Sequence, residues 1–272
     1  MYSLIAFDMD GTLLNSKEEI SERNIKAIRK AAAMGKVVAF CTGRSPDELK
    51  DYLSVVPEVR YAITDNGALI WDIKEQKRID STEIPGSLAA EALDCAEGFD
   101  YMLQFFNEKC MFEAGYEGRD FETHGLGEYY EMYTRIATWI PGMEQEFRNG
   151  RISPCKMSIH LSSYEDYLKV RKLIEEKQMP LDLKFSNAYS VEVTKLGVTK
   201  GEGLRKLCGY LGTCMKETIA VGDNDNDSDA VMAAGLGIAV GNAKDSLKKV
   251  ADIIVADNDH DGAAEAIEKY LI

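Results

Sequence analysis

The 272-residue chain lacks the features that would mark a membrane protein or a disulfide-stabilised protein. It has no apolar run of the roughly 18 residues that a spanning helix requires, and the apolar stretch near its start is too short for a signal peptide. Its six cysteines are scattered, without a CxxC pair. We therefore expect no membrane association, reduced thiols and a cytoplasmic location.

Positive charge and histidine are also scarce. The chain has 32 lysines and arginines against 46 aspartates and glutamates, which gives a formal net charge of −14. Nucleic acids and anionic membranes attract clustered basic residues, so neither is expected as a partner. An anionic substrate would need a local source of positive charge, and a divalent cation is the obvious one. The three histidines stand apart from the cysteines, which argues against a zinc site.

The chain has two ends of similar character and a different middle. At both ends, apolar strand-like runs alternate with helical segments, for example a helix that Ser21 would cap and Gly35 would end. This alternation predicts an α/β fold with a doubly wound, Rossmann-like parallel sheet. The middle is rich in aromatic residues and lacks the Gly-Asp loops of the ends. We predict a catalytic core formed by residues 1–84 and 191–272, with an α+β domain, 85–190, inserted as a cap.

The stretch DMDGTLL places two carboxylates, Asp8 and Asp10, directly after a buried strand. Residues two apart on a strand share a face, and the carboxyl ends of strands form the ligand crevice of a doubly wound sheet. Two close carboxylates repel each other, which favours a bound cation or an acid role for one of them. Taken alone, the pair fits a polar strand end with helix-capping aspartates equally well.

Two further elements lie at comparable positions. Thr42, Gly43 and Arg44 end the strand VVAFC, where a hydroxyl could donate to an anionic oxygen and glycine would allow a close backbone approach. Lys200 opens a predicted helix, although the helix dipole favours lysines at the opposite end. A lysine at this end indicates an anionic partner, while a solvated surface lysine is the ordinary alternative.

The loop GDNDND, residues 222–227, crowds carboxylates after the apolar strand TIAV. Oxygen ligands of this kind suit Mg²⁺, and the spacing does not match an EF-hand calcium loop. If all four elements meet in one crevice, it contains a nucleophile, phosphate-binding donors and a metal clamp. That combination is typical of phosphoryl transfer.

In this order, DMDGTLL, CTGR, VTKGEGL and GDNDND resemble the four signature motifs of the haloacid dehalogenase superfamily of phosphohydrolases. The long insertion between the second and third motifs resembles the type IIB cap of the Cof-like subfamily, as in sugar-phosphatase-like hydrolases. The stretches NGA at 66–68 and GNA at 241–243 also recur in that subfamily. The resemblance covers the whole chain.

The resemblance implies a Mg²⁺-dependent phosphatase that acts on small phosphomonoesters, such as sugar phosphates, through an aspartyl-phosphate. Asp8 would attack phosphorus, and Asp10 would protonate the leaving alcohol and then deprotonate water. Mg²⁺ would be held by the Asp8 carboxylate, the Asp10 backbone carbonyl and Asp223, with support from Asp227. The implied phosphate contacts are Thr42, Gly43, Lys200 and Asn226, and the implied substrate contacts are Arg44, Asn66 and Gly67.

The resemblance further implies that the cap excludes water and selects the leaving group. The expected partner is a small phosphorylated metabolite, and the expected oligomeric state is a monomer or a homodimer. Two alternatives remain open. One is a phosphomutase or phosphotransferase that returns the phosphoryl group to a sugar phosphate. The other is a phospho-acceptor regulatory protein, although such proteins lack a cap and the acid at Asp10. His160, in KMSIHLS, is interpreted as a structural histidine.

Overall fold

The computed structural model describes residues 2–185 and 189–272. The strands, in chain order, are β1 (Leu4–Phe7), β2 (Val37–Cys41), β3 (Tyr61–Thr64), β4 (Leu69–Asp72), β5 (Lys77–Ser81), β6 (Tyr101–Phe106), β7 (Cys110–Glu113), β8 (Thr138–Ile140), β9 (Lys156–Leu161), β10 (Leu181–Phe185), β11 (Ser190–Lys195), β12 (Thr218–Gly222), β13 (Leu236–Ala239) and β14 (Ile253–Ile254). The helices are α1 (Glu22–Ala33), α2 (Lys50–Val55), α3 (Gly86–Asp94), α4 (Gly118–Thr123), α5 (Tyr130–Ile136), α6 (Met143–Arg148), α7 (Tyr164–Glu176), α8 (Lys200–Leu211), α9 (Ser228–Ala233), α10 (Asp245–Lys248) and α11 (Gly262–Ala266).

The chain forms two compact units. The first contains the residues up to Ser81 together with Thr199–Ile272, and the second contains Thr82–Val198. Within the described residues, the first unit has an eight-stranded sheet in the order β14-β13-β12-β1-β2-β3-β4-β5. The strands from β14 to β3 run parallel, and β4 and β5 extend the sheet antiparallel. The predicted α/β fold with a doubly wound parallel sheet is confirmed.

The central strand β1 fixes the geometry of this sheet. Its four residues, LIAF, are all buried, as expected for a parallel strand covered on both faces. The chain leaves β1 toward β2 and β3 on one side and later returns to β12, β13 and β14 on the other. The strand order therefore reverses at β1 and β12, and such a reversal is where doubly wound sheets bind ligands.

The helix α1 begins and ends as its sequence predicts. The Ser21 hydroxyl accepts a hydrogen bond from the main-chain N–H of Asn24 (3.1 Å) and so satisfies one of the free donors of the first turn. Gly35, two residues beyond the last helical residue, has a φ of 75°. The apolar face that includes Ile28 is buried in the core of the first unit.

The second unit has an α+β architecture, as predicted for the inserted domain. Within the described residues, its six-stranded sheet has the order β10-β11-β9-β6-β7-β8 and is antiparallel except for the pair β7 and β8. Apolar side chains of β6, β9 and β11 pack with residues of α3, α6 and α7. An aromatic cluster centred on Phe112 and Phe121 joins β7 to α4 and α5.

The observed boundaries differ from the predicted ones. The prediction assigned residues from 191 onward to the catalytic core, but β11 (Ser190–Lys195) pairs with β9 and β10 of the second sheet. The second unit therefore extends to Val198 and starts at Thr82. The predicted bound at residue 190 falls at the start of β11, since composition along a sequence locates the end of an element only to within a few residues.

No helix within residues 2–185 and 189–272 combines the length and the apolar character needed to cross a bilayer.

Candidate active site

Asp8 lies at the carboxyl end of β1, where the strand gives way to a wide turn over Met9–Leu13. Its main-chain N–H still donates to Val221 O of β12 (2.9 Å), so its backbone continues the sheet. Its side chain is only 8% exposed. The sheet thus places this carboxylate firmly at the point where the strand order reverses.

Asp10 does not share the surroundings of Asp8. The strand ends before Asp10, and the backbone turns through Gly11, which has a φ of 75°. A Cβ at Gly11 would lie 2.8 Å from Asp223 Oδ2, so glycine is required for this close approach. A strand that persisted to Asp10 would have held both carboxylates on one face, and β1 does not persist that far. The Asp10 side chain is 55% exposed.

Asp10 instead forms a bidentate ion pair with Arg44. Arg44 Nη2 donates to Asp10 Oδ1 (2.6 Å), and Arg44 Nε donates to Asp10 Oδ2 (2.9 Å). The guanidinium also lies over the ring of Tyr52, 5.2 Å from its centroid. Paired N–H···O bonds of this kind fix orientation as well as distance. The predicted acid and the predicted substrate contact are thus partners of each other in this structure.

Asp227 organises the acidic loop after β12. Its Oδ2 accepts hydrogen bonds from the main-chain N–H groups of Asp223 and Asn224, both at 3.0 Å. Its Oδ1 accepts a hydrogen bond from Lys200 Nζ (2.6 Å). Both oxygens of Asp227 therefore already serve the protein, which makes this buried carboxylate a brace for the loop and for the lysine.

Lys200 is the first residue of α8 and is only 1% exposed. Its Nζ donates to Asp8 Oδ1 and to Asp227 Oδ1, both at 2.6 Å. Burial lowers the pKa of the ammonium, but attraction by Asp227 and Asp8 outweighs burial and holds the pKa above its usual range. The anionic partner predicted for this lysine consists of two carboxylates of the protein itself.

The charges of this cluster do not balance. One carboxylate oxygen from each of Asp8, Asp223 and Asp227 lies within 4.8 Å of the others. Burial, together with repulsion by Asp227, raises the pKa of Asp8 well above its usual range, although Lys200 opposes the shift. Burial and Asp227 likewise raise the pKa of Asp223. Three carboxylates against one ammonium leave two excess negative charges, and an all-oxygen donor set of that charge fits a hard divalent cation.

Thr42 follows β2 and is fully buried. Its hydroxyl accepts a hydrogen bond from the main-chain N–H of Arg44 (3.1 Å), and its carbonyl accepts one from the N–H of Asn66 (3.0 Å). Thr42 thereby joins the loop after β2 to the loop after β3. Its predicted contact with a phosphoryl oxygen stays a prediction.

The side chains of Asn66 and Asn226 meet. Asn226 Nδ2 donates to Asn66 Oδ1 (3.3 Å), and the Asn66 carboxamide lies beside Gly43, where an added Cβ would be 3.3 Å from Asn66 Oδ1. A Cβ at Gly67 would lie 2.0 Å from the carbonyl oxygen of Thr199, so Gly67 allows α8 to begin against this turn. The structure therefore brings these four predicted residues into one part of the first unit.

Sequence reasoning missed three contacts around the cluster. Thr12 Oγ1 donates to Asp223 Oδ1 (3.1 Å), Asp229 Oδ2 accepts from the N–H of Gly201 (2.9 Å), and Asn242 Nδ2 donates to the carbonyl of Gly11 (2.7 Å). Thr12 lies inside the first motif and could have been inferred from its hydroxyl. Asn242 lies in the GNA stretch, to which the sequence alone assigns no task.

Comparison with known proteins adds an independent observation to this geometry. Residues 5–267 match the family of haloacid dehalogenase-like hydrolases. The chain belongs to this family. The predicted superfamily with its Cof-like subfamily, and the predicted class of phosphoric monoester hydrolase, are confirmed for this hydrolase.

Two curated relatives are similar over most of the hydrolase. The 5-amino-6-(5-phospho-D-ribitylamino)uracil phosphatase YcsE of Bacillus subtilis is 29% identical over 99% of this chain and 96% of its own. The HMP-PP phosphatase of Serratia proteamaculans is 30% identical over 92% of this chain and 88% of its own. Among solved structures, a haloacid dehalogenase-like hydrolase from Bacteroides thetaiotaomicron is 26% identical, with a TM-score of 0.82 over 99% of both chains.

Proposed function

We propose that this hydrolase is a Mg²⁺-dependent phosphatase of small phosphorylated metabolites and that it works through an aspartyl-phosphate at Asp8. The observation that carries the proposal is the cluster of Asp8, Asp223 and Asp227, in which the Lys200 ammonium donates to Asp8 and Asp227. The relatives support it, because two of them are named as phosphatases of small phosphorylated compounds.

The residues that would hold the cation are Asp8, Asp223 and the backbone carbonyl of Asp10, with Asp227 as the supporting carboxylate. Bound there, Mg²⁺ would offset the excess negative charge of the carboxylates and of the phosphoryl group. The protein's own ammonium cannot do so alone, because Lys200 already donates to two carboxylates.

The chemistry of the chain divides between two aspartates. A carboxylate oxygen of Asp8 forms a bond to phosphorus while the bond from phosphorus to the leaving oxygen breaks. Asp10 gives that oxygen a proton, so the alcohol leaves neutral. Water then attacks phosphorus, Asp10 takes the proton, the bond from Asp8 to phosphorus breaks, and inorganic phosphate is released with both residues restored.

The predicted phosphate contacts would serve the same transfer. Lys200, Thr42, Gly43 and Asn226 would place donors around the phosphoryl oxygens, where negative charge is concentrated during the reaction. Thr42 and Lys200 are buried and held by several hydrogen bonds, so they would need little reorganisation to act.

Asp10 can serve as a proton carrier only if its bidentate pair with Arg44 opens. An anionic or hydroxylated group of the substrate would compete for the Arg44 guanidinium and so release Asp10. We therefore propose that Arg44 exchanges Asp10 for a group of the substrate, which refines its predicted contact near the leaving group. Asn66 and Gly67 remain predicted substrate contacts.

The test is a phosphate-release screen over a panel of sugar phosphates and other phosphorylated metabolites with Mg²⁺. We expect turnover of some substrates, its loss in EDTA, and a loss of about 1,000-fold or more in Asp8→Asn. The matched control is Asp225→Asn, which removes the same charge from the acidic loop after β12, because Asp225 is exposed and bonded to Ser246 and Lys244. This control should retain activity within about twofold.

Substantial turnover in a folded Asp8→Asn variant would contradict the nucleophile assignment. Equal losses of activity in Asp225→Asn and Asp8→Asn would show that activity falls with any lost carboxylate charge and would not support Asp8 as the nucleophile. Formation of an isomerised sugar phosphate without phosphate release would replace hydrolysis by the phosphomutase reaction.

A further inference from the structure

The turn that follows Asp8 is held from outside by a carboxamide of the loop after β13. Asn242 Nδ2 donates to the carbonyl oxygen of Gly11 at 2.7 Å. Gly11 is the residue whose positive φ brings the turn against Asp223. The bond therefore acts on the peptide at which this close approach is made.

The orientation of the Asn242 carboxamide is fixed by a second bond. Its Oδ1 accepts a hydrogen bond from the main-chain N–H of Asn258 (3.1 Å). Rotating the amide by half a turn would place an NH₂ group against an N–H and an oxygen against a carbonyl, so the network selects one assignment. The bond from Asn258 thus orients the Asn242 NH₂ group toward the carbonyl oxygen of Gly11.

Two routes lead from this loop to Asp223. The carbonyl of Gly11 and the N–H of Thr12 belong to one peptide unit, and Thr12 Oγ1 donates to Asp223 Oδ1 (3.1 Å). On the other route, the main-chain N–H of Lys244 donates to the carbonyl of Asp223 (2.8 Å). The side chain and the main chain of Asp223 are therefore both held, directly or through one residue, by the segment that contains Asn242.

We propose that Asn242 is a positioning residue for the cation site: by fixing the Gly11–Thr12 peptide, it holds the Asp223 carboxylate in the orientation that Mg²⁺ requires. The inference rests on the proposed function, since it takes Asp223 as a ligand. The side-chain hydrogen bonds of Asn242 join it to Gly11 and Asn258, and Asn242 is not itself one of the proposed cation ligands.

Asn258 is a matched control, because its side chain bonds to the backbone three residues after Gly11. Asn258 Nδ2 donates to the carbonyl of Leu14 (2.9 Å), which is the same kind of bond from the same kind of side chain. Asn258→Ala removes this bond but keeps the main-chain N–H that orients Asn242. If both residues have a purely structural role, the two alanine variants should weaken Mg²⁺ binding equally. If Asn242 positions Asp223, only Asn242→Ala should weaken it.

The experiment measures Mg²⁺ binding to the full chain by titration calorimetry, without substrate, in the native protein, Asn242→Ala and Asn258→Ala. We expect the dissociation constant for Mg²⁺ to rise about fivefold in Asn242→Ala, the worth of one ordinary hydrogen bond, and to stay within about twofold in Asn258→Ala. In Asn242→Ala, kcat at low Mg²⁺ should fall and recover with excess Mg²⁺, while KM for the phosphomonoester stays constant.

Asn242→Asp keeps the size of the side chain and the acceptor for Asn258 and replaces the donor to Gly11 by a carboxylate oxygen, so it serves if the alanine variant does not fold. Its added negative charge alone would tighten Mg²⁺ binding, and weaker binding can then come only from lost positioning. Native-like Mg²⁺ binding in the folded Asn242 variants, or equal weakening in Asn258→Ala, would overturn the inference and leave the proposed function standing. A native protein that binds no Mg²⁺ would instead overturn both.

Discussion

Both units of the hydrolase bury titratable side chains, but the second unit keeps its buried His160 neutral whereas the first leaves a carboxylate cluster with excess charge. In the second unit, His160 Nδ1 pairs with Ser190 Oγ (2.5 Å) and Nε2 pairs with Gln104 Oε1 (2.9 Å). Burial, with repulsion from His124 and Lys156, lowers the pKa of His160 to about 3. The ring is therefore neutral and fully bonded, which agrees with its interpretation as a structural histidine.

The cluster of the first unit cannot become neutral by the same means. The Lys200 ammonium donates to Asp8 and Asp227, and burial together with repulsion by Asp227 raises the pKa values of Asp8 and Asp223. The comparison teaches that burial of a polar group is not by itself a sign of function. A buried group whose charge the protein leaves uncompensated is the stronger sign, because it requires something from outside.

The largest effect that would test this difference is expected from Lys200→Met. The change leaves three buried carboxylates without an ammonium, and removing one partner of a buried ion pair costs about 3–5 kcal/mol of unfolding free energy. Because Lys200 is also a predicted phosphate donor, kcat/KM should fall by about 100-fold to 1,000-fold. Urea unfolding and phosphate release measure the two effects.

Lys206→Met is the control for this change, since Lys206 lies on the same helix, α8, and pairs with Asp80 in a more exposed position. It should cost no more than about 1 kcal/mol and leave turnover unchanged. A Lys200→Met protein as stable and as active as this control would remove the distinction between the two clusters.

The next effect concerns pH in the absence of metal. A carboxyl group whose pKa is raised by folding contributes stability at low pH, and this contribution is lost as pH rises from about 3.9 through the raised value. In EDTA, the unfolding free energy of the native protein should therefore decline toward neutral pH, by at most about 1.4 kcal/mol per pH unit for each group. Asp8→Asn should reduce the slope, and Mg²⁺ should abolish it.

Chemical unfolding at several pH values, with EDTA or with Mg²⁺, measures this slope. A native protein in EDTA whose stability rises steadily toward neutral pH, with Asp8→Asn showing the same profile, would show that the carboxylates are compensated within the protein.

The smallest effect is expected in the second unit and has the opposite sign. The lowered pKa of His160 means that folding is favoured while the ring is neutral, and this stability is lost as pH falls from about 6.5 toward about 3. His160→Gln should therefore flatten the acid limb of the stability curve by up to about 1.4 kcal/mol per pH unit. Turnover at neutral pH is the control, and an unaltered acid limb would show that His160 is not buried neutral.

Much of the first unit could be predicted from contiguous apolar runs and from turn residues. The strands β1, β2, β12 and β13 are such runs, and the residues that follow β1 and β12 meet because the carboxyl ends of neighbouring parallel strands share one edge. This rule alone brings Asp8 and Asp223 together. The strand β5 escaped prediction because its sequence, KRIDS, is mostly polar and none of its residues is fully buried at the sheet edge.

The remaining errors concern features that depend on three-dimensional placement. The pair of Asp10 with Arg44 depends on where β1 ends, and one residue more of strand would have turned Asp10 elsewhere. The bond from Asn242 to Gly11 joins residues far apart in the chain, so no local pattern announces it. The predicted bound at residue 190 falls at the start of β11, because the alternating sequence SVEVTK offers no turn or break at which a domain would end.

The position of β1 in its sheet has a consequence for how the protein is made. One edge of β1 pairs with β2, which is synthesised soon after β1. The other edge pairs with β12, which is synthesised only after the whole of the second unit. The second unit is one uninterrupted stretch and can fold while synthesis continues. The first unit must wait with an apolar strand edge unpaired, which exposes the nascent chain to aggregation or chaperone capture until β12 emerges.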